Sequence, residues 1–170
     1  MAVADREDII EIINLYGLAM DTQRWDLFDR IFTPDVDADY GVTSRWTDLA
    51  QFKSDFGSFH ELFDATQHVM TNHLVKVEGD RANTHTYGMW RLIRLAAGEP
   101  PCWDGTGWYD DQWVRTPGGW RISKRVCRVV YWNGNPKVQT PMEGITFQLD
   151  LFSLRGEARA GRLEILKAID

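Results

Sequence analysis

The chain has 170 residues, of which 44% are hydrophobic and 26% are charged, as is ordinary for a soluble protein long enough to bury a core. The net charge of −6 argues against binding to nucleic acid or an anionic membrane surface, since both attract a surplus of lysine and arginine. The sequence has no signal-peptide pattern and no apolar run of the ~18 residues that a membrane span needs, which predicts a cytoplasmic protein. Its two cysteines are therefore expected to be free thiols.

Aromatic residues are numerous, with eight Trp, eight Phe and five Tyr. Aromatic rings bury large areas and have little conformational freedom. This content therefore predicts either an aromatic-lined pocket or a core that is simply rich in tryptophan, and the composition does not choose between them.

The first third of the chain has helical periodicity. From residue 5 to about 22, apolar residues recur at spacings of three and four, and acidic residues crowd the start, where they suit the helix dipole. A second short helix is predicted over residues 25–32 and is ended by Pro34, and residues 36–40 form a brief extended segment. A third amphipathic helix is predicted over residues 46–63.

The remainder of the chain indicates strands. Residues 66–77, 81–96, 102–115 and 120–132 are rich in β-branched and aromatic residues, and turn-forming residues separate them. Helices followed by antiparallel strands are typical of the α+β class.

We expect one domain over residues 1–170. In it, residues 133–170 form an extension over the pocket or an interface, with a short helix over residues 157–168.

Three residues are candidates for chemistry. Asp21 ends the first helix, where a carboxylate is either solvated or held by a partner in a pocket, because it opposes the helix dipole. His68 lies in a predicted strand in phase with Met70, whereas His73 has the opposite phase, so on a regular strand the two imidazoles cannot form one metal site. Tyr40 closes the short extended segment. A structural role remains an alternative for each.

These residues carry a resemblance to scytalone dehydratase, in the NTF2/SnoaL superfamily. Met20-Asp21-Thr22-Gln23-Arg24-Trp25-Asp26 resembles the end of that enzyme's first helix, and Asp39-Tyr40 its Asp-Tyr pair. Thr66-Gln67-His68 resembles its Thr-Gln-His, and Gly119-Trp120-Arg121-Ile122 its last core strand. The same Asp and His pair is typical of hexachlorocyclohexane dehydrochlorinase and bile-acid dehydratase relatives. The resemblance covers residues 9–132 and implies a curved antiparallel sheet wrapped with N-terminal helices into a cone.

The resemblance also implies a lyase that uses neither cofactor nor metal. Asp21 would accept a hydrogen bond from His68 and fix its tautomer, and His68 would remove a proton from carbon as the general base. Tyr40 would help to polarise a substrate carbonyl through water. An aromatic or polycyclic small molecule would then lose a β-leaving group, which is water by preference, with halide or a small carbonyl fragment as alternatives.

Several positions depart from the dehydratase pattern. Arg91 falls near its second histidine, Met20 replaces a tyrosine, and Trp108 and Asp110 fall near a serine and an asparagine. Scytalone is therefore not the expected substrate. Arg91 is a candidate to bind a carboxylate, phenolate or enolate, and Asp110 is a candidate second acid–base group or a partner for Arg91. Both also fit structural roles.

The expected pocket combines these polar groups with an apolar wall. Its predicted wall residues are Tyr16, Met20, Trp25, Met70, Met89 and Trp108. An isomerase or cyclase, or a non-catalytic small-molecule-binding or assembly module, are alternatives, because fold does not determine function. The strands carry apolar residues in both phases, so a homo-oligomer is expected. A trimer is favoured by the resemblance, and a dimer comes next.

Overall fold

The computed structural model describes residues 3–41, 44–140 and 149–169. Its elements, in chain order, are α1 (Val3–Asp21), a 3₁₀ helix (Trp25–Arg30), β1 (Phe32–Asp39), β2 (Arg45–Trp46), α2 (Leu49–His60), β3 (Ala65–Glu78), β4 (Arg81–Ile93), β5 (Cys102–Thr116), β6 (Gly119–Gly134), α3 (Leu154–Arg159) and α4 (Glu164–Ile169). Among the described residues, no helix has both the length and the apolar character needed to cross a membrane.

The six strands form one curved, open sheet in the order β2-β1-β6-β5-β4-β3. Every neighbouring pair is antiparallel except β1 and β6, which run parallel. The N-terminal helices pack on one face of this sheet, which we call the inner face, through buried side chains of α1 such as Ile9 and Ile13. The predicted α+β class is confirmed.

Element boundaries differ from the sequence prediction in three places. Pro34 lies inside β1 rather than ending a helix, because the pairing of β1 with β6 is interrupted between Phe32 and Asp37 and needs no N–H donor there. α2 begins at Leu49 because the Asp48 side chain caps it. The C-terminal helix is divided in two, with Gly161 at a φ of 67° between α3 and α4.

A β-bulge in β3 changes the predicted phase of its residues. Asn72 has a φ of 54°, and the register with β4 shifts between Thr71 and Leu74. The His73 ring therefore lies on the inner face, as His68 does, and its Nδ1 is 3.1 Å from the Thr86 hydroxyl. The expectation that the two imidazoles lie on opposite faces is wrong, because the strand is not regular between them.

The C-terminal residues contact both faces of the sheet. Gln139 and Leu149 border a cavity on the inner face, whereas α4 packs across β3, β4 and β5 on the opposite, outer face. There the Asp110 carboxylate accepts a hydrogen bond of 2.9 Å from the Glu164 backbone N–H. Residues 141–148 of the predicted extension lie outside the described residues.

Close packing of β5 on β6 gives a test of the fold. Gly107 lies at a register shift, and a Cβ atom added there would overlap the backbone carbonyl of Arg128. Gly107→Ala should lower the free energy of unfolding by about 3 kcal/mol, seen as a lower urea midpoint at constant m-value. Gly156→Ala, in α3 and with only ordinary contacts, is the control and should not destabilise. Equal midpoints for the two variants would contradict the register.

Candidate functional site

Asp21, the last residue of α1, binds two residues of β3. Its Oδ1 lies 2.7 Å from the His68 Nδ1 and accepts a hydrogen bond of 2.8 Å from the Thr66 hydroxyl. Its Oδ2 accepts a hydrogen bond of 2.8 Å from the His68 backbone N–H. The carboxylate is thus held by partners rather than solvated, which resolves the two alternatives that the sequence left open.

The charge state of Asp21 fixes the tautomer of His68. Burial raises the pKa of Asp21, but the hydrogen bonds from the His68 ring and backbone outweigh it and leave this pKa below its usual range. An ionised carboxylate can only accept, so the proton lies on Nδ1 of His68 and the lone pair on Nε2 is available. The His68 side chain is only 5% exposed. This is the arrangement of an oriented base.

A cavity of about 130 Å³ adjoins His68 on the inner face. Aromatic and aliphatic side chains form most of its wall, with a few polar groups between them. The lining residues are Tyr16, Met20, Tyr40, Phe56, Phe59, His60, His68, Trp90, Leu92, Trp103, Tyr109, Cys127, Val129, Gln139 and Leu149. Aromatic side chains therefore both line a pocket and fill a core, since Trp113 and Trp120 belong to the main core cluster.

Two tyrosines present hydroxyl groups in this cavity. The hydroxyl oxygens of Tyr16 and Tyr40 are 3.0 Å apart, so one donates to the other. Burial raises the pKa of Tyr16 to about 12 and that of Tyr40 well above its usual range, so both hydroxyls stay protonated near neutrality. The pair has two O–H hydrogens and uses one internally. The other can be donated to a bound molecule or to the neighbouring Tyr109 hydroxyl, which lowers the pKa of Tyr16 by hydrogen bonding.

A buried ion pair supports the tyrosines from behind. The Arg125 guanidinium donates two hydrogen bonds, of 2.8 and 2.7 Å, to the Asp111 carboxylate, and both side chains are fully buried. The guanidinium carbon lies 4.3 Å from the centre of the Tyr16 ring and 4.6 Å from that of Tyr109. The positive charge partly offsets the effect of burial on the pKa of Tyr16.

Four predicted site residues lie on the outer face, away from this cavity. Successive residues of a strand point to opposite faces. Trp90 of β4 and Tyr109 of β5 face the cavity, so their neighbours face outward. Arg91 is 52% exposed and pairs with Asp104 at 2.6 Å, so its expected pocket role, and its expected pairing with Asp110, are wrong. The other three are Met89, Trp108 and Asp110.

Two more predicted wall residues lie behind the cavity. Trp25 packs against the His60 ring at a centroid distance of 5.2 Å, and His60 separates it from the cavity. Met70 lies on the inner face beside Gly17 of α1 and does not line the cavity. Of the predicted site, His68, Tyr16, Met20 and Tyr40 line the cavity, and Asp21 contacts His68 directly.

The sequence interpretation missed His60, Trp90, Tyr109, Cys127 and the buried Arg125. Arg125 and Cys127 are two residues apart in a predicted strand and therefore share a face, but their neighbours Lys124, Val126 and Arg128 do not mark that face as buried. Burial raises the pKa of Cys127 to about 12, so this cysteine is a neutral wall residue rather than a thiolate.

The fold and cavity define a small α+β cone with an imidazole–carboxylate pair at an aromatic pocket. The family model described as a SnoaL-like domain matches residues 1–126. The chain belongs to this SnoaL-like family.

Individual relatives agree with this assignment. An uncharacterized protein of Mycobacterium tuberculosis is 34% identical, over 73% of this chain and 84% of its own. The Kfla4162 protein from Kribbella flavida is 30% identical, with a TM-score of 0.74 over 78% of this chain and 95% of its own.

Two further structures share the fold at lower identity. A putative scytalone dehydratase from Novosphingobium aromaticivorans has a TM-score of 0.71 at 19% identity, over 77% of this chain and 87% of its own. A hexachlorocyclohexane dehydrochlorinase has a TM-score of 0.68 at 16% identity, over 86% of this chain and 94% of its own.

The lowered pKa of Asp21 makes a prediction about acid stability. The folded state binds this proton less readily than the unfolded chain, whose Asp pKa is about 3.9, so the stabilisation is complete well above that value and is lost as the pH falls through the folded pKa. Asp21→Asn should lower the free energy of unfolding at pH 7 by about 2 kcal/mol and flatten its dependence on pH between about 5 and 3.

Urea unfolding at several pH values measures both effects. Asp35→Asn, which replaces an exposed carboxylate on β1, should keep the wild-type dependence of the free energy of unfolding on pH. If Asp21→Asn also kept that dependence, the Asp21 carboxylate would not stabilise the fold.

Proposed function

We propose that this protein is a cofactor-free lyase that removes a proton from carbon and eliminates a β-leaving group from an aromatic small molecule. The observation that carries the proposal is the Asp21 carboxylate 2.7 Å from the Nδ1 of a nearly buried His68, which leaves Nε2 available beside an aromatic cavity. The fold likeness to a putative scytalone dehydratase and to a dehydrochlorinase supports the reaction class by analogy.

In the proposed reaction His68 acts first as base and then as acid. Nε2 accepts the proton from carbon, and the electron pair of the broken C–H bond forms the new C=C bond, directly or through an enolate. Asp21 stabilises the imidazolium that results. With water as the leaving group, the imidazolium returns its proton to the departing hydroxyl. The products are the alkene and water, and the enzyme regains its starting charge.

The Tyr16–Tyr40 pair is proposed to stabilise the enolate. The O–H hydrogen that is not used between the two tyrosines can donate to a substrate carbonyl oxygen, and that bond strengthens as the oxygen gains negative charge. Arg125 behind the Tyr16 ring adds a fixed positive charge on the same side. The tyrosines and His68 all line the same cavity, as a proton transfer next to a polarised carbonyl requires.

Cavity size bears on the substrate. A cavity of about 130 Å³ is close to the ~150 Å³ of an engineered cavity that holds one benzene ring. We therefore propose a substrate that places one ring beside His68, and a polycyclic substrate would extend through the mouth near Gln139 and Leu149.

Proton abstraction can be tested without knowing the leaving group. Aryl ketones with a β-hydroxyl or β-halide group are incubated with the enzyme in D₂O, and NMR follows both deuterium entry at the acidic carbon and alkene formation. The lyase should form the alkene, and deuterium should enter the recovered substrate when the elimination passes reversibly through an enolate. An isomerase or cyclase would form a product that keeps every substrate atom, and a non-catalytic binding module would give neither signal.

Variants test the dyad once a turned-over compound is found. His68→Ala and Asp21→Asn should each lower the rate of alkene formation about 10²–10⁴-fold, because one removes the base and the other its orientation. The double variant should be little worse than either, since the two act as a unit. The rate of the wild type should rise with pH, and this rise should be absent from His68→Ala.

Arg91→Ala is the matched control for the dyad variants. Arg91 belongs to the strand next to His68 but is exposed and paired with Asp104, so its replacement should leave the rate unchanged. Full activity in His68→Ala, or losses that multiply in the double variant, would contradict the dyad.

Self-association is proposed from the outer face. Leu74 and Met89 are 53% and 48% exposed there, and Val69 and Tyr87 beside them are also exposed. Copies of the chain that pack together through this strip would remove it from water. The apolar residues in both phases of the strands also indicate that the outer face is covered by another copy. We propose a homo-oligomer, with a trimer favoured over a dimer.

Light scattering at micromolar concentration tests this. The wild type should have a trimeric or dimeric mass. The double variant Leu74→Glu with Met89→Glu should shift the mass towards that of the monomer, since burying two unpaired carboxylates in an apolar contact is costly. Leu95→Glu, at an exposed leucine outside the strip, should keep the wild-type mass. A monomeric wild type would exclude the proposal.

A further inference from the structure

His60 is a second imidazole in the wall of the cavity. It is the last residue of α2, is 3% exposed, and lines the same cavity as His68. Its ring stacks on Phe56 at a centroid distance of 5.3 Å and an interplanar angle of 28°, and packs against Trp25. Its backbone carbonyl accepts a hydrogen bond of 3.0 Å from the Gln23 side chain. Both ring and backbone are therefore held in place.

The hydrogen bond of the His60 ring fixes its tautomer. Nδ1 lies 2.7 Å from the backbone carbonyl oxygen of Phe56, one turn earlier in α2. A carbonyl can only accept, so the ring proton lies on Nδ1 and Nε2 carries a lone pair. In the part of the chain that the structure describes, Nε2 has no hydrogen-bond partner.

The charge of His60 differs from what a base would need. Burial lowers its pKa and the charge of His68 acts in the same direction, whereas the hydrogen bond to the Phe56 carbonyl and the charge of Asp21 oppose the shift, and the resulting pKa is about 4. Near neutral pH the ring is thus uncharged and can only accept at Nε2. A buried acceptor in an apolar wall costs free energy as long as no donor reaches it, and a bound molecule that supplies a donor removes this cost.

We propose that His60 is a specificity-determining residue whose Nε2 accepts a hydrogen bond from a hydroxyl or N–H group of the bound molecule. The site would then select an aromatic ring that carries a donor, as a phenol does, over the corresponding hydrocarbon. This inference rests on the proposed function only in taking the cavity as the substrate site, and binding measurements test it without any turnover.

Phenol and toluene are suitable probes because they have nearly the same size and differ in one hydroxyl. Their dissociation constants are measured by NMR titration of the full chain. The ratio of phenol to toluene affinity should fall about fivefold to tenfold in His60→Phe, the size of one neutral hydrogen bond, because that variant keeps the stacked ring and loses the acceptor. An unchanged ratio in a folded His60→Phe would overturn the proposal.

His68→Ala tests the other available Nε2 of the cavity, because loss of the phenol preference there instead of in His60→Phe would assign the acceptor to His68. His73→Phe, at a histidine that does not line this cavity, is the control and should keep the wild-type ratio. A second measurement needs no variant at position 60. In protein labelled with ¹⁵N-histidine, phenol but not toluene should shift the Nε2 resonance of His60. A shift at His68 alone would overturn the inference and leave the proposed lyase untouched.

Discussion

The three hydrogen bonds that Asp21 accepts join the end of α1 to β3 and determine where the His68 ring points. A carboxylate at the C-terminus of a helix opposes the helix dipole, so its position depends on these donors. The helix must also lie close to the strand. It does so at Gly17, one turn earlier on the same side of α1, where an added Cβ would be in ordinary contact with the Met70 side chain and the His68 carbonyl, at 3.4 and 3.5 Å.

The opposite side of the cavity depends on a charge as well. Fully burying the Arg125–Asp111 pair costs desolvation energy that a hydrophobic pair would not, and removing either partner would leave the other unpaired. The pair holds a cation against the Tyr16 and Tyr109 rings, which face the same cavity as His68. A negative group thus supports His68 and a positive group lies behind the tyrosine hydroxyls. The proposed elimination, which moves a proton one way and develops negative charge the other way, needs this polarity.

The sequence predicted the order of helices and strands and, through short motifs, the residues of the Asp–His pair, because these depend on local periodicity and residue identity. It failed where strand phase matters. Placing Arg91 rather than Trp90 in the cavity is an error of one residue, and one residue moves a side chain to the other face of the sheet. The bulge at Asn72 reversed the phase argument for His73 in the same way. The Arg125–Asp111 contact depends on strand register, which composition does not reveal.

The two cavity histidines show why residue type alone does not assign a role. Both rings line the cavity and hold their proton on Nδ1, because both Nδ1 atoms face an oxygen that can only accept. The oxygens differ in charge. The Asp21 carboxylate stabilises a protonated His68, so that ring can take a proton from carbon and hold it. The neutral carbonyl of Phe56 gives buried His60 much less compensation for a charge, so this ring stays an acceptor. The charge of one oxygen atom behind each ring therefore separates the proposed base from the proposed specificity residue.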